Sequence, residues 1–175
     1  MMWSSSVTTG AELSIAGISA KDLAKEFGTP TFFIDEADFR SRALAWNEAL
    51  KEAFGDKAGT VYYASKAFSC TEVARWIKDL GIGIDVSTGG EMAVALAGGI
   101  DPKKIEVHGN NKSIAEIEKA ISVGVETIVI DSMYEIDRVA GAAAKAGKVQ
   151  RVLLRLTPGI EAHTHKSIAT AHEDV

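Results

Sequence analysis

Short apolar runs opening at Val61, Gly83, Ile105 and Thr127 recur every 22 residues, and a fifth opens at Val152. The runs 61–64 (VYYA), 82–86 (IGIDV), 105–108 (IEVH), 127–130 (TIVI) and 152–156 (VLLRL) have the β-branched and aromatic content of strands. Between them, apolar residues return at helical spacing: Val73, Ile77 and Leu80; Ile114, Ile117 and Ile121; Met133, Ile136, Val139 and Ala143. Each helix has a start signal of the S/T-x-x-E type, in which a hydroxyl and a carboxylate satisfy unpaired amides: Ser69 with Glu72, Thr88 with Glu91, Ser113 with Glu116, Ser132 with Glu135. Gly81, Gly98 with Gly99, Gly124 and Gly147 supply the stops.

The order is βαβαβαβαβ, and crossovers of this length make every strand parallel. A doubly wound sheet and a (β/α)8 TIM barrel both satisfy that order. Near-equal units favour the barrel, which takes eight strands and ~250 residues. The predicted fold is therefore α/β, an incomplete (β/α)8 barrel of about five units, and the sequence is expected to be the front part of a longer protein.

Ahead of the rhythm, residues 21–27 read as a short helix ended by Gly28, Thr29 and Pro30, and residues 31–34 as an extra strand. Asp35 caps a long helix through about Phe54, with Phe39, Ala43, Trp46 and Leu50 on one stripe. Residues 1 to about 18 show no period and are expected to be loose. This divides the chain into an N-terminal segment, 1–34, whose extra strand is expected to pair with a C-terminal β-domain outside this sequence, and the partial barrel, 35–175.

With 46% hydrophobic and 25% charged residues, the 175-residue chain can fill a core, and disorder is not expected. A net charge of −5 argues against nucleic acid as a partner. A single cysteine, Cys70, cannot form an internal disulfide. The opening MMWSSSVTTG lacks a signal-peptide pattern, and no apolar stretch reaches the ~18 residues of a membrane span. A soluble cytoplasmic protein is expected, with no membrane partner.

Barrel chemistry lies at the C-terminal ends of strands. All five strand ends carry an ionisable group: Lys66, Asp85, His108 followed by Asn110 and Asn111, Asp131, and Arg155. Each also has a plain structural reading. Lys66 fits a solvated surface group, Asp85 a loop cap, His108 a satisfied loop histidine and Asp131 the residue preceding a helix cap. Arg155, between Leu154 and Leu156, needs a carboxylate or phosphate partner if it points inward. A lysine among apolar barrel walls loses hydration, which leaves more free amine to attack a carbonyl. That chemistry suits a direct aldolase or an enzyme tethering pyridoxal phosphate.

Weaker candidates remain. His163, His165 and His172 lack a metal-ligand framework, so no metal is expected. Cys70 opens a helix without an identifiable base, and GIGID (81–85) is not a dinucleotide fingerprint. Thr88, Gly89 and Gly90 fit either an anion site or a helix cap.

YASKA (63–67) resembles the segment around the cofactor lysine of the fold-type III, alanine-racemase-like pyridoxal-phosphate decarboxylases. DVSTGGE (85–91) and HGNNKS (108–113) are similar to their second- and third-strand motifs. LRLTPG (154–159), AHTH (162–165) and TAHED (170–174) resemble the diaminopimelate decarboxylases in particular. Phe68 stands where that family commonly has Asn, and Thr88 where it has Ser.

The resemblance implies pyridoxal 5'-phosphate held by Lys66, with Asp85 close to that lysine, His108 near the cofactor ring and Arg155 near its phenolic oxygen. It implies decarboxylation of an amino acid, meso-diaminopimelate to L-lysine, in a homodimer whose active sites are shared. Further family residues would lie beyond Val175, so the chain alone is expected to be inactive. An ornithine or arginine decarboxylase, an amino-acid racemase, a non-catalytic cofactor carrier and a direct aldolase are the other readings.

Overall fold

The structure, a computed structural model, describes residues 7–57 and 59–156. Its main body is a five-stranded sheet of β4 (Tyr62–Ala64), β5 (Gly83–Val86), β6 (Ile105–Val107), β7 (Thr127–Ile130) and β8 (Val152–Leu154). The helices α3 (Thr71–Leu80), α4 (Gly89–Ala97), α5 (Ile114–Val123) and α6 (Met133–Lys145) alternate with these strands. Every strand pairs in parallel with the one before it in the chain, giving the order β4-β5-β6-β7-β8. A doubly wound sheet would reverse that order near its middle. The uninterrupted order, with one face of the sheet covered by helices, is that of a partial (β/α)8 barrel.

Side-chain alternation explains the two faces. Ile84, Val86, Ile105, Val107, Ile128 and Ile130 point to one side and join Ile77, Ile117, Ile121 and Val139 from the helices in one apolar cluster. Asp85, Glu106 and Thr127 occupy the intervening positions, in register with one another, on the opposite face. That second face corresponds to a barrel interior, and it carries the polar residues.

Two of the four expected capping boxes form completely, Thr88 with Glu91 and Ser113 with Glu116. Ser69 does not cap α3, because Cys70 takes the N-cap position and Glu72 turns instead to Arg75 and Trp76. Ser132 is the N-cap of α6 without a side-chain bond, since Glu135 is engaged elsewhere. After α4 both expected glycines serve, Gly98 as the right-handed C-cap and Gly99 at φ +83° as the turn.

The N-terminal segment departs from expectation. Instead of a loose lead, β1 (Val7–Thr9), β2 (Leu13–Ile15) and β3 (Ile18–Ser19) form a small antiparallel sheet. Ala16 at φ +51° and Gly17 at φ +79° close the two-residue turn between β2 and β3, the geometry that matches strand twist in a hairpin. Ser19 then caps α1 (Ala20–Phe27), and Asp35 caps α2 (Glu36–Phe54) through the amides of Ala37 and Asp38. Residues 31–34 make no ladder with any described strand, and Phe32 is 96% exposed. A strand forms only against a neighbour, and among the described residues 31–34 has none. No helix among the described residues is long and apolar enough to cross a membrane.

Candidate active site

The five strand-end residues converge on one end of the sheet. Lys66 lies just beyond β4 in a single 3-10 turn, Ser65–Ala67, and is exposed. Among the described residues its amine has neither a hydrogen bond nor an ion pair. Ser65 beside it is buried, and its hydroxyl finds no partner among those residues either.

Asp85 sits inside β5, opposite Ala64 of β4 on one side and Glu106 of β6 on the other. His108 follows β6 and extends it, its amide donating to the carbonyl of Val86 at 2.7 Å. Residues two apart on a strand share a face, so Glu106 and His108 meet: Glu106 Oε1 lies 2.7 Å from His108 Nε2. Asp85 Oδ2 is 3.9 Å from the same nitrogen. The result is an imidazole between two carboxylates on the inner wall. Burial raises the Asp85 carboxyl above the ordinary carboxylate range, while the charges of His108 and Lys66 pull it back down and Glu106 adds to the rise.

The turn after His108 is forced into a shape only glycine fits. Gly109 adopts φ +100°, and a Cβ there would lie 2.8 Å from the carbonyl oxygen of Ser87. At the next two strands, Asp131 follows β7 and Arg155 follows β8. The Arg155 amide donates to Ile130, and Nη1 pairs with Asp131 Oδ1 at 3.1 Å. The partner that an inward arginine requires is thus a carboxylate from the neighbouring strand end.

The α4 N-terminus has the capping role of the two readings. Glu91 accepts from the amides of Ser87 and Thr88, Thr88 accepts from Glu91, and Glu116 of α5 reaches across to the Gly89 amide at 2.8 Å. Amides already bonded to carboxylates leave little for an incoming anion. Asn110 and Asn111 are exposed. Residues His163, His165 and His172 lie outside the described residues, and among those described no group of three or more His, Cys, Asp or Glu could hold a metal.

Sequence reasoning missed Glu106, although its position two before His108 already placed both on one face. It also missed the buried pair Lys112 and Glu135, which are 3.0 Å apart. Nothing in the pattern around either residue signals that contact.

An exposed, unpaired lysine, a carboxylate with a raised proton affinity, an imidazole and a paired guanidinium at one sheet end suit an aldehyde-bearing anionic cofactor better than a metal. Comparison with known proteins agrees. Residues 36–175 match the family model described as pyridoxal-dependent decarboxylase, pyridoxal binding domain. A diaminopimelate decarboxylase of Mycobacterium tuberculosis is 56% identical over 160 residues, covering 91% of this chain and 35% of that protein. Another from Corynebacterium efficiens is 43% identical over 162 residues, 93% of this chain and 34% of that one. The crystal structure of a diaminopimelate decarboxylase from M. jannaschii in co-complex with L-lysine superposes with a TM-score of 0.81 at 28% identity, covering 97% of this chain and 40% of that chain. The chain therefore spans about a third of the length of the curated relatives it matches. With most of its length matched, the chain belongs to the pyridoxal-dependent decarboxylases and carries their pyridoxal-binding domain.

Proposed function

We propose that the protein containing this chain decarboxylates meso-diaminopimelate to L-lysine, with pyridoxal phosphate tethered at Lys66. The observation that carries this reading is the unpartnered Lys66 amine beside the Asp85, Glu106 and His108 wall, at the sheet end that also holds Arg155. The identity to diaminopimelate decarboxylases supports the choice of substrate.

The residues fit the cofactor by their chemistry. Lys66 offers a primary amine that no neighbour occupies. Arg155, oriented by Asp131, offers donors for a phenolic oxygen. His108, held by Glu106, offers a flat ring for a flat cofactor. When bound, pyridoxal phosphate supplies a sink for the electron pair left as the bond from Cα to the carboxylate breaks. Asp85, raised by burial and eased back by the charges of His108 and Lys66, offers a carboxyl that keeps its proton to higher pH than an exposed one.

In the same reading the whole protein is a cytoplasmic homodimer with shared active sites. Residues 1–34 serve as an N-terminal segment packing on a second, β-rich domain, and residues 35–175 belong to the cofactor-binding barrel. The exposed run at 31–34, which pairs with no described strand, supports that division.

Borohydride reduction of the full-length enzyme followed by peptide mapping tests the tether. A pyridoxyl label on Lys66 is expected, together with carbon dioxide release from meso-diaminopimelate and not from ornithine or arginine. A label on another lysine, or none, overturns the assignment.

A further inference from the structure

Two ionisable side chains that this chemistry does not use are almost fully buried. Lys112 and Glu135 are 2% and 3% exposed, and Nζ lies 3.0 Å from Oε2. A buried ion pair is a poor stabilising device, because desolvating both charges offsets most of their attraction, and an apolar pair of similar volume often does as well. Its presence calls for another reason, and its hydrogen bonds supply one.

Each partner also holds a backbone group of the candidate site. Lys112 Nζ donates to the carbonyl of Gly109, the residue directly after His108. Arg138 of α6, stacked 4.3 Å over the Tyr134 ring, donates to the Lys112 carbonyl and presses the same loop from behind. Glu135 Oε2 accepts the Asp131 amide at 2.9 Å, and Asp131 Oδ1 pairs with Arg155. One contact therefore joins the loop after β6, the end of β7 and, through Asp131, the end of β8.

We propose that the Lys112–Glu135 pair is a positioning device that sets the His108 loop and the Asp131–Arg155 pair in one geometry before the cofactor arrives. The proposal rests on the reading of these residues as the cofactor site. Neither Lys112 nor Glu135 touches the reacting atoms. Their ion pair spaces two groups that would otherwise be fixed only through separate strand ends, and preorganised binding groups of this kind lose little freedom when the ligand enters.

The test uses the full-length protein and the double variant K112M/E135L, which removes both charges and leaves an apolar pair of similar size. Hydrogen exchange is read first, without cofactor. Peptides covering 107–111 and 129–133 are expected to exchange about fivefold faster or more beyond any change in an α3 peptide, which reports the global loss from leaving the Gly109 carbonyl and the Asp131 amide unpaired. The dissociation constant for pyridoxal phosphate, followed by its absorbance, is expected to rise about tenfold or more, with a displaced absorption maximum of the bound cofactor. Unchanged exchange in both site peptides together with unchanged cofactor affinity overturns the proposal. Should the double variant not fold, K112M/E135Q carries the same test, since it removes both charges and the Gly109 contact but keeps an acceptor for the Asp131 amide; parental exchange at 107–111 with parental affinity in that variant also overturns it. A parent protein that takes no pyridoxal phosphate would sink the functional reading, while the exchange measurement would still decide the role of the pair.

Discussion

Glu116 serves two helix starts at once. Its Oε2 accepts from the amide and hydroxyl of Ser113, and its Oε1 accepts from the Gly89 amide 27 residues earlier. The Ser113 and Gly89 amides and the Ser113 hydroxyl hold the carboxyl below the ordinary carboxylate range. A depressed acid contributes stability above its unfolded value, and that contribution is lost as pH falls through the depressed one. Glu116→Gln is therefore expected to cost about 1 kcal/mol at neutral pH, with the difference from the parent vanishing under acid, as read by urea denaturation across pH. Asp85 has the opposite sign, since burial raises it, and ionising it opposes folding as pH climbs. At this scale the sequence was informative where chemistry follows position on a strand. Asp85, His108 and Arg155 could be named from the strand ends alone, and Glu106 was within reach by alternation. Lys112 was not legible, because whether a loop lysine is buried depends on a partner 23 positions away on α6.

Helix α4 approaches α3 closely at Gly98, where a Cβ would fall 2.3 Å from the Ala74 Cβ. Gly98 has ordinary right-handed angles, so the need for glycine there is one of space. Gly98→Ala should destabilise by about 1–3 kcal/mol through overpacking, and Ala74→Gly in the same chain should recover part of that, giving a non-additive cycle in thermal unfolding. The elements themselves were largely readable, since strand and helix periods differ and every crossover had its glycine stop. Helix stripes misled along α2, where Trp46 is 70% exposed and no residue is buried, at Ile136 of α6, and at the first residues of α5 and α6. Ile114 and Met133 fit the apolar spacing yet are exposed, because side chains lean toward the helix N-terminus and the first ones project past the sheet. Caps were less legible than stripes, since a hydroxyl and a carboxylate at the right spacing can each find a better partner, as Glu72 and Glu135 do. The β1 to β3 sheet escaped notice because strands of two or three residues leave no period to read.

Across the whole molecule, the sheet has two unpaired edges among the described residues, β4 and β8. At β8 the side chains of Val152, Leu153 and Leu154 are all exposed. An exposed apolar edge strand is a template for further pairing. Expressed as these 175 residues, the chain is expected to form soluble oligomers or aggregates, visible by light scattering, despite its net charge of −5. A monodisperse monomer would contradict this. The parallel barrel arrangement was legible from the regular repeat; the groups that complete its interior wall were not, because they depend on how neighbouring strands align. That strand order has a bearing on biogenesis. Each new strand docks on the one synthesised just before it, so the ribosome releases the pieces in the sequence in which they assemble. After β4, no strand of the parallel sheet has to wait for a later one to find its first neighbour, and the growing polypeptide can consolidate from its amino end while the remainder is still being translated.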